Sequence, residues 1–419
     1  MTGESARVVI TGLGLATPVG VGVEETWAAL LAGTSGAAPI TLFDASDQKV
    51  RFACEVKDFD PLLAMEAKDA RRADRFLQLA MATAREAVNA AGLAEQLEIL
   101  SADRTGVIVG SGIGGLTTLE AQHIRLLDGG PGRVSPFFIP MFISDMASGM
   151  ISMKYGARGP NYATVSACAS SAHALGLAYR SIRIGEANLM IAGGAEATVT
   201  PLCIAGFASM KALSTRNDDP ATASRPFDAE RDGFVLGEGS GMLVLESLEH
   251  ARARGAPILA ELAGFGQSAD AYHMTAPAPG GAGAQLAMRE ALADGHLEPT
   301  DVGYVNAHGT STPANDATET AAIKAVFGDH ARELVVGSTK SMTGHTLGAS
   351  GAIEAGIAAL VCARGAIPPT INYRTPDPEC DLDYATDGPR EATVRGAISN
   401  SFGFGGHNVT LALRRWEGK

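Results

Sequence analysis

Short β-branched runs ending in glycine alternate with helix-like stretches along the whole chain of 419 residues. This alternation constrains the fold more than any other feature, because strands buried on both faces read as unbroken apolar runs and need helical crossovers between them. Residues 7–12 (RVVITG), 104–110 (RTGVIVG) and 189–194 read as such strands. Between them, 69–91 reads as one amphipathic helix, with Ala73, Phe76, Leu77, Ala80, Ala84, Ala87, Val88 and Ala91 on a stripe and Gly92 as its stop. A further helix is expected over 169–185, and 232–245 (DGFVLGEGSGMLVL) reads as a hairpin around its glycines. The same alternation continues to the end of the chain. Strands are expected at 258–266, 302–307 and 335–337, helices at 284–295 and 315–327, a long Gly/Ala-rich helix ending near Gly365, and strands over 395–413 around SFGFGGHN. The expected class is α/β. A boundary near Ala253 gives halves 1–253 and 254–419 sharing one interface, and no internal duplication is legible in the residues themselves.

A hydrophobic share of 46% against 19% charged residues describes a core-rich globular chain and excludes a disordered one. The net charge of −13 argues against nucleic acid or an anionic membrane as a bulk partner. No membrane span is expected, since the apolar run 137–143 is broken by Pro140 and the run 347–362 carries Glu354. The opening MTGESARVVITG goes into a strand pattern without a basic-then-apolar signal. Five cysteines, at 54, 168, 203, 362 and 380, form no CxxC pair, so neither a disulfide framework nor a zinc ribbon is expected. The expectation is a reduced, cytoplasmic protein.

Cys168 stands in TVSACASSAHALG, where a strand-like approach gives way to small residues and a helical pattern. A cysteine at a helix N-terminus meets free N–H groups and the positive dipole end, which favour thiolate; a buried structural cysteine is the competing reading. His308 (YVNAHGTSTPAND) and His345 (GSTKSMTGHTLGASGAIE) stand in Gly/Thr/Ser settings, the second five residues after Lys340. One cysteine with two histidines could also ligate zinc, although no spacing resembles a compact metal knuckle. The glycine patterns at 12–14 and 110–115 follow strands but lack the full dinucleotide-binding spacing and its ribose-binding acid. Phe402-Gly-Phe404-Gly-Gly406 alternates flexible backbone with rings, as a gate or a packed turn would. Lys68, Arg71, Arg72 and Arg75 are spaced to share one helix face, read either as a stripe for an acidic partner or as a solvated face.

Together these segments resemble the β-ketoacyl-acyl-carrier-protein synthases, in particular the synthase II branch of bacterial fatty-acid synthesis. The resemblance spans VVITGLG (8–14), GSGIGGL (110–116), SACASS (166–171), AGGAEA (192–197), ALSTRND (212–218), RDGFVLGEGSGMLVLE (231–246), YVNAHGTSTPAND (304–316), STKSMTGHTLGA (338–349), PPTIN (368–372) and SNSFGFGGHN (399–408). It implies a thiolase-like fold, two related α/β halves in a layered αβαβα arrangement, in a homodimer. It implies Cys168 as the acylated nucleophile, the backbone N–H groups of Cys168 and Phe404 as the oxyanion hole, and neutral His308 and His345 as donors to the malonyl thioester carbonyl. Lys340 would order the histidines, with Glu354 supporting it. Thr310 and Thr312 match the phosphopantetheine-contacting segment. Ile113 and Phe207 match the acyl pocket, Phe404 the gate beside Phe402, and Asp270 the partner of the moving loop. Lys68, Arg71, Arg72 and Lys211 match the docking surface for the acidic acyl carrier protein. No metal or other cofactor is implied. The alternatives are a ketosynthase subunit of a type II polyketide pathway and a non-catalytic chain-length partner, against which Cys168 speaks. A degradative thiolase would need a second cysteine that the GFGGHN segment lacks.

Overall fold

The computed structural model describes residues 6–93 and 102–418. Ten strands form one continuous path: β1 (Val8–Thr17), β2 (Thr105–Gly110), β3 (Asn161–Thr164), β4 (Leu189–Glu196), β5 (Gly239–Ser247), β6 (Ala260–Ala269), β7 (Val302–Asn306), β8 (Val335–Gly337), β9 (Gly396–Gly403) and β10 (His407–Arg415). Their spatial order is β8-β7-β9-β10-β6-β1-β5-β4-β2-β3. Outward from the central β1–β6 pair, the first half runs β1-β5-β4-β2-β3 and the second β6-β10-β9-β7-β8. The two orders are the same, and so are the directions: the strand next to the centre pairs antiparallel, and the two outermost pairings in each half are parallel.

Six helices cover these sheets: α1 (Arg75–Ala90), α2 (Met146–Tyr155), α3 (Ser170–Arg183), α4 (Ala282–Asp294), α5 (Pro313–Phe327) and α6 (Ser350–Arg364). Strand alternation sorts the cores. Val107, Val109, Leu189, Ile191, Met242 and Val244 face α1 and α2, whereas Ile108, Met190, Ala192, Leu243 and Leu245 turn inward to α3 and α6. In the second half Val409, Leu411 and Leu413 join the same inner core, and Val305, Ile398 and Ala412 pack under α4 and α5. The layers are therefore α1/α2, sheet, α3/α6, sheet, α4/α5, the thiolase-like αβαβα arrangement. The stretch 347–364 is long and apolar enough to cross a membrane, but 89% of it is buried inside the protein as a core helix.

Two expectations are corrected. The helix expected over 69–91 is two helices, Ala67–Ala70 and α1, because the buried carboxylate of Asp74 caps Phe76 N and takes both the backbone N–H and the hydroxyl of Thr118 (2.8 and 2.6 Å). Lys68, Arg71 and Arg72 remain exposed ahead of the break. Arg75 leaves the stripe: it is half-buried and bonded to Glu238 and to Val56 O. The hairpin expected over 232–245 is one strand, β5, preceded by a loop that bridges to Leu213 and His345. Its glycines serve close approach instead of a turn; a Cβ on Gly241 would lie 2.6 Å from Ile353 N. Gly12 and Gly14 likewise sit inside β1, against the carbonyls of Ala87 and Thr83 on α1, with no phosphate loop.

Candidate active site

β3 delivers the chain to a single turn, Ala167–Ala169, that leads directly into α3. Ala167 takes a left-handed φ of 50°, and Ser170 fastens the elbow by donating to Ala167 O (2.7 Å) while accepting Ser166 N (2.9 Å). Cys168 sits at the bend, buried. From the other half, His308 follows β7 in a loop whose N–H groups at His308 and Gly309 both donate to the Glu319 carboxylate (2.8 Å each); Asn400 Nδ2 donates to it as well (3.1 Å). His345 follows the short helix Lys340–Thr343 and is held in a bridge, its N–H on Val235 O (2.8 Å) and its carbonyl accepting Gly237 N (2.9 Å).

These segments converge. His345 Nε2 lies 3.0 Å from Cys168 Sγ, and its Nδ1 lies 3.1 Å from Ser350 Oγ, a hydroxyl able to donate or accept. The two imidazoles stand perpendicular, centroids 5.3 Å apart, with the Phe234 ring edge-on to His345 and Phe402 tilted against His308. Buried Lys340 pairs with buried Glu354. Burial pushes the Cys168 thiol up to about 12, outweighing the Lys340 charge and the backbone N–H groups of Phe404 and Cys168 that favour thiolate. The thiolate expected from the helix N-terminus is thus corrected: desolvation dominates, and the resting group is a thiol facing a base. Burial first, and the Lys340 charge second, hold both histidines well below the usual imidazole range, so both are neutral at pH 7. Burial pushes Glu354 up to about 7 against the opposing pull of Lys340.

A cavity of about 520 Å³ opens onto this cluster. Ile113, Cys168, Phe207, Lys211, Asp270, His308, Thr310, Thr312, His345, Phe402 and Phe404 all line it. Lys340 and Glu354 stand behind the histidines, and Lys68, Arg71 and Arg72 lie outside the lining, on the surface. Phe404 begins the turn between β9 and β10; Gly405 N donates to Met274 O (2.7 Å), Asp270 N to Gly406 O (2.9 Å) and Asn408 Nδ2 to Asp270 Oδ1 (2.7 Å), so Asp270 latches that turn. The Cys168, His308 and His345 ligand atoms lie within 4.8 Å of one another, enough to admit a metal by spacing alone. The 3.0 Å contact is a hydrogen-bond distance, shorter than two ligands around one zinc at ~2.0–2.3 Å would keep. The sequence reading missed three supports: Glu319, Ser350 and Glu196. Glu196 takes Gly112 N, Ile113 N, Gly114 N, Gly348 N and Ser111 Oγ. A usable signal existed for Glu319, since Asp316 and Glu319 put two carboxylates three residues apart on the inward face of α5.

A cysteine on an elbow, two neutral imidazoles and a cavity of about 520 Å³ on this fold are the parts of a condensing acyltransferase. Residues 5–251 match the β-ketoacyl synthase N-terminal domain and 259–374 its C-terminal domain, and the chain belongs to that family. It is 55% identical to a 3-oxoacyl-(acyl-carrier-protein) synthase 2 of Synechocystis sp. over 414 residues, covering 99% of both chains. It is 53% identical to the protein of that name from Coxiella burnetii over 98% of this chain and 99% of the other. Among solved structures it matches the ishigamide ketosynthase/chain length factor (TM-score 0.92, 39% identity, 98% and 100% covered) and a type II polyketide ketosynthase in complex with its acyl-carrier protein (TM-score 0.91, 36%, 99% and 100%).

Proposed function

We propose that the protein is a β-ketoacyl-acyl-carrier-protein synthase of fatty-acid elongation, acting by decarboxylative Claisen condensation. The observation that carries the mechanism is the 3.0 Å contact between a neutral imidazole and the thiol of Cys168. Sγ attacks the acyl thioester carbonyl and its proton passes through His345 Nε2 to the departing pantetheine thiol. The N–H groups of Cys168 and Phe404 meet the oxyanion. Malonyl thioester then enters; its C–C bond breaks, carbon dioxide leaves, and the enolate oxygen is held by His308 and His345, the latter donating from Nε2 while Ser350 donates to Nδ1. The carbanion attacks the acyl carbonyl and Cys168 departs as thiolate, which takes a proton from solvent because its own left with the pantetheine thiol. Substrates arrive on the phosphopantetheine of the carrier protein, and no other cofactor takes part.

Identity favours fatty-acid over polyketide synthesis: 51–55% to the synthase 2 relatives against 36% to the type II polyketide ketosynthase structure. In this reading the halves are 1–253 and 254–419, and Lys68, Arg71, Arg72 and Lys211 dock the carrier protein in the cytoplasm. The homodimer forms along β3, the outermost strand of the first half, where Tyr162 on the strand and Val165 just after it are exposed. Intact-protein mass spectrometry with a panel of acyl carrier proteins, followed by malonyl carrier protein, tests the function. Adducts on Cys168 that discharge into β-ketoacyl product are expected. Adducts that never discharge indicate a subunit waiting for a partner, and absence of adducts with every donor overturns the reading.

A further inference from the structure

The loop between β7 and α5 carries Thr310 and Thr312, whose hydroxyls lie 2.9 Å apart on the cavity wall. Ser311 between them holds a left-handed φ of 66° without being glycine, a conformation that persists only where its surroundings enforce it. The enforcement comes from one segment. Arg225 N donates to Ser311 Oγ (2.9 Å) and Gly233 N to Ser311 O (3.2 Å). Arg231, buried and absent from the cavity lining, reaches the loop with its planar fork: Nε donates to Thr312 O (3.2 Å) and Nη2 to Pro313 O (3.0 Å). Its remaining Nη1 donates to Asp228 O (2.8 Å) and to the Asp377 carboxylate. Asp377 belongs to a segment that Asp228 anchors by accepting Arg374 N and Thr375 N (2.6 and 2.7 Å).

We propose that Arg231, aimed by Asp377, is a positioning residue that sets the Thr310 and Thr312 hydroxyls against the amide-bearing arm of the substrate. This rests on the reading of those two threonines as pantetheine contacts. Two successive carbonyls taken by one guanidinium fix both the distance and the tilt of the peptide between them, which a lysine, a single point donor, cannot reproduce. The arm of the donor, not its reacting carbonyl, is what the clamp serves.

The test compares malonyl-pantetheine with malonyl-ethanethiol, a donor without the arm, on the full chain. Arg231→Lys is expected to lower the ratio of kcat/KM between the two donors about ten-fold, the scale of one lost hydrogen bond to a charged group. With malonyl carrier protein the loss should appear in KM, with kcat within about two-fold. Asp377→Asn, milder because Asp377 reaches the loop only through Arg231, should move the same ratio about three-fold if Arg231→Lys proves unstable. Equal losses for both donors, or an unmoved ratio in the folded variants, overturn the proposal. Thr312→Val distinguishes the clamp from the contact it serves. If it lowers the ratio while Arg231→Lys does not, only the role of Arg231 falls; if it too leaves the ratio unmoved, the pantetheine reading falls with it.

Discussion

The two halves of the molecule use the same strand order and place the same helix, α3 or α6, at its centre, yet the turn before α3 carries a cysteine and the turn before α6 does not. The turns before these helices match closely. Ala167–Ala169 precedes Ser170 and Leu347–Ala349 precedes Ser350, and the first residue of each turn has a left-handed φ, 50° at Ala167 and 48° at Leu347. Cys168 in one therefore answers to Gly348 in the other. A Cβ on Gly348 would lie 2.3 Å from Gly112 N and 2.5 Å from Glu196 Oε2, so the second half has no room for a side chain there. What it supplies instead is His345, two residues before its turn, across from the sulfur of the first. Each half also cradles the loop after its second strand with a buried carboxylate: Glu196 holds 111–114 beside the acyl pocket, and Glu319 holds 308–309. In the proposed mechanism the duplicated fold divides its labour: the first half holds the sulfur that carries the acyl group, and the second half the two imidazoles that hold the enolate and pass the sulfur's proton.

The largest effect should come from removing the asymmetry at its source. Cys168→Ala is expected to lower condensation by more than about a thousand-fold while leaving the thermal transition in place, read by product mass and by calorimetry. Undiminished condensation would put the nucleophile elsewhere. The paired carboxylates offer a sharper division. Glu319→Gln turns an amide donor toward N–H groups that need an acceptor, shifting His308; malonyl decarboxylation should fall on the order of 100-fold with acylation of Cys168 little changed. Glu196→Gln should do the reverse, slowing acylation and altering chain-length preference through Ile113. Equal loss of both steps in both variants would break the division of labour.

The strands, most helices and the candidates Cys168, His308 and His345, which the fold brings together, were legible because periodicity and long ordered motifs record them locally. The helix at 69–91 and the hairpin at 232–245 were misread because Asp74 and Gly241 answer to tertiary partners, Thr118 and Ile353, that no local pattern contains. The duplication stayed hidden for a related reason. What the halves share is backbone, the left-handed Ala167 and Leu347 above all, while the side chains at matching places have diverged to Cys and Gly. The state of Cys168 also escaped, since a helix start is local but burial is not.

Gly348→Ala probes the unused turn directly. Forcing a methyl group against Gly112 N and the Glu196 carboxylate should cost about 1–3 kcal/mol in a denaturant midpoint, and disturb acylation more than decarboxylation because both contacts belong to the first half. A neutral outcome would mean that the two turns are interchangeable. The charge behind the histidines comes next in size. After burial, Lys340 is the second cause of their depressed basicity, so removing it in Lys340→Ala should raise both imidazoles. Protonation would then begin at higher pH, moving the acid limb of the decarboxylation profile upward. An unmoved limb would leave burial as the main cause, with His345 beside His308 as a lesser one.

The smallest effect belongs to the surface, and it too sits on one half. Lys68, Arg71 and Arg72 are exposed on the first half, and of these Arg72 already places its guanidinium over the Phe137 ring, 4.3 Å from its centroid. Reversing Arg71 and Arg72 to glutamate should weaken carrier-protein binding by about ten-fold at low salt, mainly through a slower association rate. The difference should shrink toward nothing as the Debye length falls from ~30 Å at 0.01 M to ~3 Å at 1 M salt. Arg75 serves as the internal control, because its guanidinium is spent on Glu238 and Val56 O: Arg75→Gln should cost stability and leave the salt dependence of binding as it was. If Arg75→Gln instead reproduces the salt-dependent loss, the stripe works as the single helix face that Asp74 interrupts, and the two helices must join when the carrier protein docks.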